Sequence, residues 1–120
     1  TNEVFEGIKS GHIHLNTDSF ACEVQSNPVL NIPTDGRAVF LELNYKCTQS
    51  FNVGIVNGTQ QHLVSLVVNK SDNWNKIDIN LTSEINLAPA TTNPRIYITM
   101  LKPANSSTAD LWLDNVKLLY

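Results

Sequence analysis

Aromatic rings beside amides and carboxylates are the residue types here that best match a ligand chemistry. Sugar rings present C–H faces that stack on Trp and Tyr, while amides and carboxylates bond the hydroxyls. In Arg95-Ile96-Tyr97-Ile98-Thr99-Met100 the apolar parity falls on Ile96, Ile98 and Met100, leaving Tyr97 on the opposite face. Trp112 is likewise opposite Leu111 and Leu113. If the two strands share a sheet, Tyr97 and Trp112 form a platform, with Asn44 and Glu42 on a nearby outward face. The competing expectation is that loops or the N-terminal segment cover both rings.

His12 and His14 share one face of Gly11-His12-Ile13-His14-Leu15-Asn16. Two imidazoles at i, i+2 could chelate a transition metal with a third ligand from elsewhere, for which His62 is the candidate; the alternative is a solvated strand face. Catalysis would need a nucleophile or an oriented carboxylate beside them. No G-x-S-x-G or H-E-x-x-H pattern occurs, so the chain reads as not an enzyme. Cys22 and Cys47 leave two arrangements open. As neighbours in a sheet they would bridge a loop of about 25 residues, contributing about 3 kcal/mol in an oxidising compartment; otherwise they are two buried free thiols. Without a C-x-x-C they are not a zinc site. Asn57, Asn69, Asn80 and Asn105 begin N-x-S/T sequons, meaningful only in a source that glycosylates.

These side chains must be positioned by strands. In the segment Arg37 to Cys47, Val39, Leu41, Leu43, Tyr45 and Cys47 share one parity and Glu42, Asn44 and Lys46 the other, the pattern of a half-buried strand. The same alternation predicts strands over Gly11 to Asn16, Ser19 to Gln25, Phe51 to Val56, His62 to Asn69, Lys76 to Thr82, Arg95 to Leu101 and Leu111 to Leu119, with a short one near Val29 to Ile32. Val, Ile and Thr total 29 residues, and their branched Cβ atoms favour a pleated surface over a helix. Turns are expected at Pro33-Thr34-Asp35-Gly36, Asn57-Gly58 and Ser71-Asp72-Asn73, with a longer connection from Ala88 to Pro94. Leu111 and Leu113 differ in parity from Val116 and Leu118, so a β-bulge is predicted at Asp114-Asn115. Eight or nine short strands with no room for helices predict an all-β fold, an antiparallel β-sandwich of the jelly-roll kind.

The length, 120 residues and 13.3 kDa, suits a single domain over 1–120. Eight Lys+Arg are scattered against 11 Asp+Glu, for a net charge of −3, without the basic stripe of a nucleic-acid binder. Charged residues make up only 16%, while Asn numbers 15 and Ser+Thr 19. That amide-rich, weakly ionic surface suits an exported protein. No apolar run approaches the roughly 18 residues of a transmembrane helix, and the Thr1-Asn2-Glu3 opening reads as a mature or trimmed product.

The ending Ala109-Asp110-Leu111-Trp112-Leu113-Asp114-Asn115-Val116-Lys117-Leu118-Leu119 resembles the closing strand of carbohydrate-binding-module-like, galactose-binding-like jelly rolls. Asn73-Trp74-Asn75-Lys76-Ile77-Asp78-Ile79-Asn80-Leu81-Thr82 is similar to a second segment of such domains. With Phe40 to Cys47 and Phe51 to Gly54, the chain resembles domains of uncharacterised surface lipoproteins from Bacteroides-type bacteria over roughly residues 37–119. The resemblance implies that Trp74 packs structurally and that the sequons are not glycosylated. It further implies a structural calcium between Asp114 and an acidic residue near the N-terminus, with Glu6 the partner; at Asp114 the alternative is a carboxylate bonding the bulge amides. The expected function is a non-catalytic, glycan-binding module at the cell surface or outside the cell, with no cofactor beyond that calcium. The competing function is a structural spacer or protein-interaction domain, docking a partner or a second copy through an open edge strand such as that of His12 and His14.

Overall fold

Period-two burial builds the architecture. In the computed structural model, which describes residues 2–4, 10–26, 32–33, 35–56, 61–87 and 94–120, Val39, Leu41, Leu43 and Cys47 are all but completely buried. Glu42, Asn44 and Lys46 between them face outward and stay half-exposed. The elements in chain order are β1 (Asn2–Val4), β2 (Ser10–Leu15), β3 (Ala21–Gln25), β4 (Phe40–Cys47), β5 (Phe51–Val56), β6 (His62–Val68), β7 (Ser71–Asn80), α1 (Thr82–Leu87), β8 (Arg95–Leu101) and β9 (Ala109–Leu119). One sheet runs β1-β9-β4-β7, with β2 also paired to β9; the other runs β3-β8-β5-β6. Every pairing is antiparallel. The all-β antiparallel sandwich expected from the alternation is thus the fold.

The inward residues of the two sheets meet in one core. Leu41, Leu43, Leu111, Leu113, Val116 and Leu118 come from the five-stranded sheet, and Phe51, Val53, Ile55, Ile96, Ile98 and Met100 from the four-stranded one. Each such side chain contributes about 1.5–3 kcal/mol of apolar burial. The Tyr45 ring packs edge-on to Phe51, with centroids 5.5 Å apart, and so ties β4 to β5 across the sandwich.

The bulge in β9 lies where the parity change predicts it. Glu42 pairs with Lys117 but Asn44 pairs with Asp114, so two β9 residues stand against the single Leu43. Asn115 takes a positive φ of 51° there, a conformation Asn tolerates better than most residues. The insertion returns both Leu113 and Val116 to the core.

Several expectations are corrected. Ser71-Asp72-Asn73 is not a turn but the start of β7, whose register against β4 slips between Tyr45 and Cys47. Helix is present: α1 follows Leu81, whose carbonyl accepts the Ile85 N–H at 3.0 Å, and the buried Ile85 pins that turn to the core. The Thr82 hydroxyl accepts the Val39 N–H at 3.0 Å, so the chain leaves the sheet where the strand reading had continued. Cys22 and Cys47 are not sheet neighbours: one is on β3, the other on β4 of the opposite sheet, and both are free thiols. Gly36 holds φ of 90°, matching its expected role in the turn after Pro33. The Asn57-Gly58 turn, the strand positions 29–31, Thr34 and residues 88–93 lie outside the described residues.

Candidate functional site

Across β2, β9, β4 and β7 the register lines up outward side chains in transverse rows. His14 faces Asp110; His12 faces Trp112, which faces Lys46; Asp114 faces Asn44, which faces Lys76; and Lys117 faces Glu42, which faces Asp78. Three of the expected ligand residues, Trp112, Asn44 and Glu42, therefore share the outer face of the five-stranded sheet. The fourth does not. Tyr97 is on β8, in the other sheet and on the opposite side of the sandwich, and is only 3% exposed. Alternation reports a residue's face relative to its own sheet, so two outward residues on different sheets point apart. The Tyr97–Trp112 platform does not exist.

Trp112 stands upright within its row. Its ring lies 4.7 Å from that of His12 with an 8° angle between planes, close to the ~4.8 Å spacing of neighbouring strands. From β4, on the other flank, Lys46 Nζ comes to 4.9 Å from the ring centroid. With a neighbour on each face, Trp112 offers solvent its rim. Trp74 differs. Lys46 falls in the register slip between Tyr45 and Cys47, opposite the β7 stretch that carries Trp74, so Trp74 continues the row that begins at His12. It is 53% exposed, against the expectation that it packs structurally, because β7 is an edge strand that bulges here.

Charges finish the face. Glu42 and Lys76 pair at 2.8 Å; the Lys76 ammonium holds the Glu42 carboxyl below its usual range, and Glu42 in turn raises Lys76. At the bulge, Asp114 Oδ1 accepts the Asn115 N–H at 2.9 Å, the alternative weighed against calcium. The expected calcium partner, Glu6, lies outside the described residues.

His12 and His14 meet a partner that strand spacing could not name. His12 donates from Nε2 and His14 from Nδ1 to the same oxygen, Asp110 Oδ1, at 2.7 and 2.6 Å. Partial burial pushes the Asp110 carboxyl up, but the hydrogen bonds and charges of His14 and His12 together outweigh it and hold it below its ordinary value. Asp110 is fixed in turn by Thr48: its N–H donates to Thr48 Oγ1 at 2.8 Å, and its carbonyl accepts the Thr48 N–H at 3.0 Å. The signal in the sequence was Asp110 lying two residues before Trp112 on the same parity; placing it opposite His14 requires the β2–β9 register.

His62, the expected third metal ligand, lies on the other sheet. It donates from Nε2 to Glu23 Oε1 at 2.8 Å and packs edge-on to Tyr97 with centroids 4.8 Å apart. Glu23 also accepts from Gln25 Nε2 at 2.7 Å and Thr99 Oγ1 at 3.3 Å. The Gln25 hydrogen bond is the largest influence on Glu23; with those of His62 and Thr99 it outweighs partial burial and holds the carboxyl down. Burial, with the Glu23 charge, pushes the Tyr97 phenol up. This pair joins the two edge strands, β3 and β6, over the intervening β8 and β5, where Gly54 stands opposite Tyr97 and brings no side chain to block the ring.

Known structures share this architecture. A solved structure described as CBM4, a carbohydrate-binding module, matches with a TM-score of 0.67 at 13% identity, over 94% of this chain and 84% of that one. A family 29 carbohydrate-binding module complexed with mannohexaose matches with a TM-score of 0.57, also at 13% identity, over 98% of this chain and 73% of that one. No family model matches the chain, and no curated protein matches it in sequence. At this identity the likeness establishes a carbohydrate-binding-module-like β-sandwich. No helix among the described residues is long and apolar enough to cross a membrane.

Proposed function

We propose that this chain is a non-catalytic glycan-binding module of an exported, surface-associated protein, and that the sugar lies on the outer face of the five-stranded sheet. The observation that supports this most is the transverse row running from His12 through Trp112 and Lys46 toward Trp74, with Asn44, Glu42 and Lys76 in the rows beside it. Trp112 and Trp74 stand on strands two steps apart, about 10 Å, so a bound chain crosses the strands. Trp74, with its ring open to solvent, supplies the stacking face; Trp112, flanked by His12 and Lys46, supplies a ridge against which the sugar abuts. The amide of Asn44 and the Glu42–Lys76 pair supply hydroxyl partners of both signs. The two carbohydrate-binding modules of like fold support the ligand class.

The test is a glycan array and affinity electrophoresis in soluble polysaccharides with the intact protein and single variants. A stacked ring is worth about 0.5–1.5 kcal/mol, or roughly 2- to 13-fold in affinity. Trp74→Ala is expected to lose more than Trp112→Ala, while Phe20→Ala, which removes an exposed ring outside these rows, leaves binding intact. No binding to any glycan by the intact protein would instead favour the spacer or protein-docking role.

A further inference from the structure

We infer that His12, His14 and Asp110 form a binding site for a divalent transition-metal ion, Zn²⁺ in the first place, on the rim of the five-stranded sheet. The ligand-capable atoms of the three residues all lie within 4.8 Å of one another. Two imidazoles and a carboxylate are the borderline donor set that suits zinc, copper or nickel rather than calcium or magnesium. The inference does not rest on the glycan reading: the two share His12, but this one concerns a different ligand, held with His14 and Asp110.

The fold presents the three groups together. Antiparallel pairing puts His14 directly opposite Asp110, and the two-residue repeat of β2 brings His12 to the same face, diagonal to that carboxylate. The main chain of Asp110 is held by its reciprocal hydrogen bonds to Thr48 and its side chain is only 17% exposed, while the two imidazoles are about half exposed and can turn. Without metal, both rings aim a nitrogen at one carboxylate oxygen, 2.6 and 2.7 Å away. An ion about 2.0–2.2 Å from each donor spaces tetrahedral ligands roughly 3.3 Å apart. Binding therefore opens each contact by about 0.6–0.7 Å, a small rotation for an exposed ring. The metal-bound nitrogens give up the protons that point at Asp110, either by tautomer exchange in a neutral ring or by release from a charged one. Three protein ligands leave at least one position for water or an outside group. The His12 ring that would carry the ion is stacked on Trp112, so occupancy is readable from that indole.

The experiment uses the protein without a polyhistidine tag, stripped of metal by a chelator and dialysed free of it. Isothermal titration with ZnCl₂ at pH 7.5 is expected to show one ion per chain. His14→Ala and Asp110→Asn should each weaken it at least about tenfold, no less than the loss of an outer-shell partner brings. As these variants could disturb β2, circular dichroism and the melting temperature of each confirm an intact sandwich before titration. In a Trp74→Phe background Trp112 is the sole tryptophan, and Cu²⁺ should quench its fluorescence unless His12 is replaced by Gln. Absence of zinc binding up to 1 mM, or zinc binding and copper quenching that persist unchanged in folded His12→Gln, His14→Ala and Asp110→Asn variants, would overturn the assignment.

Discussion

Replacing Gly54 by Ala tests whether the close approach of β5 and β6 is a real constraint. Gly54 lies in the middle of the four-stranded sheet, where the register slips from Val53 opposite Leu66 to Gly54 opposite Val64. That slip draws the β6 backbone over Gly54. A methyl group there would collide with the backbone carbonyl oxygen of Leu63, meet its carbonyl carbon at 3.0 Å and come to 2.9 Å from Tyr97 Cε1. A backbone carbonyl cannot rotate away as a side chain can, so β6 must withdraw and the Tyr97 ring must lift. Overpacking of this kind costs about 1–3 kcal/mol, and loosening the ring adds to it, so the expected loss is about 3 kcal/mol. For a chain of this size that lowers Tm by roughly 10–15 °C. Urea unfolding followed by circular dichroism and fluorescence measures it. Gly36→Ala is the contrast: φ there is +90° with nothing within 4 Å of a new Cβ, so only backbone strain of about 1–2 kcal/mol is expected. A Gly54→Ala loss below 1 kcal/mol, or one no larger than that of Gly36→Ala, would refute the reasoning.

Other outcomes follow from the same geometry. Tyr97→Ala should destabilise the fold by about 3–5 kcal/mol, as other large-to-small core changes do, and weaken any glycan binding only through unfolding; selective loss of binding with unchanged stability would count against its placement. Asp110 and Glu23 have folded pKa values below their unfolded ones, so their contribution is complete above the ordinary carboxylate range and is lost as pH falls through the folded values. Melting temperature should therefore hold from pH 7 to about 5 and decline below about 4; a rise on acidification would contradict the sign. Burial pushes the Cys47 thiol up, so native alkylation should be slow there and faster at the half-buried Cys22, with both modified after unfolding; two hydrogens missing from the intact mass would contradict the free thiols. Asn115→Val at the positive-φ bulge should cost about 1–2 kcal/mol, whereas Asn115→Gly should be close to neutral by thermal melts.

The face of each residue was legible wherever alternation was sustained. Val39 to Cys47 gave β4 its wet and dry sides, and the parity change between Leu113 and Val116 located the β9 bulge to the residue. Which sheet a strand joins is not legible, because alternation carries no information about partners; parity alone therefore groups Tyr97 with Trp112, and offers His62 rather than Asp110 as the companion of the histidine pair. The turn of α1 escaped because Ile77, Ile79 and Leu81 keep strand parity up to its first residue, and six residues hold too little of a 3.6 period to read. Asp72 and Asn73 looked like a turn because an edge strand with a register slip can be as polar as a loop.

The central position of β9 also bears on how this chain comes to be folded. β9 pairs with β1, β2 and β4, and the contact between His14 and Asp110 joins residues 96 apart in sequence. At about 5–20 residues per second of synthesis, β2 waits roughly 5–20 s between its own emergence and that of the strand it pairs with. Throughout that interval Ile13 and Leu15, which end up against the core, have no sheet to cover them. Such long-range closure favours slow folding, so a nascent chain stalled before Ala109 should remain protease-sensitive at β2, and protection should arrive only with the last strand.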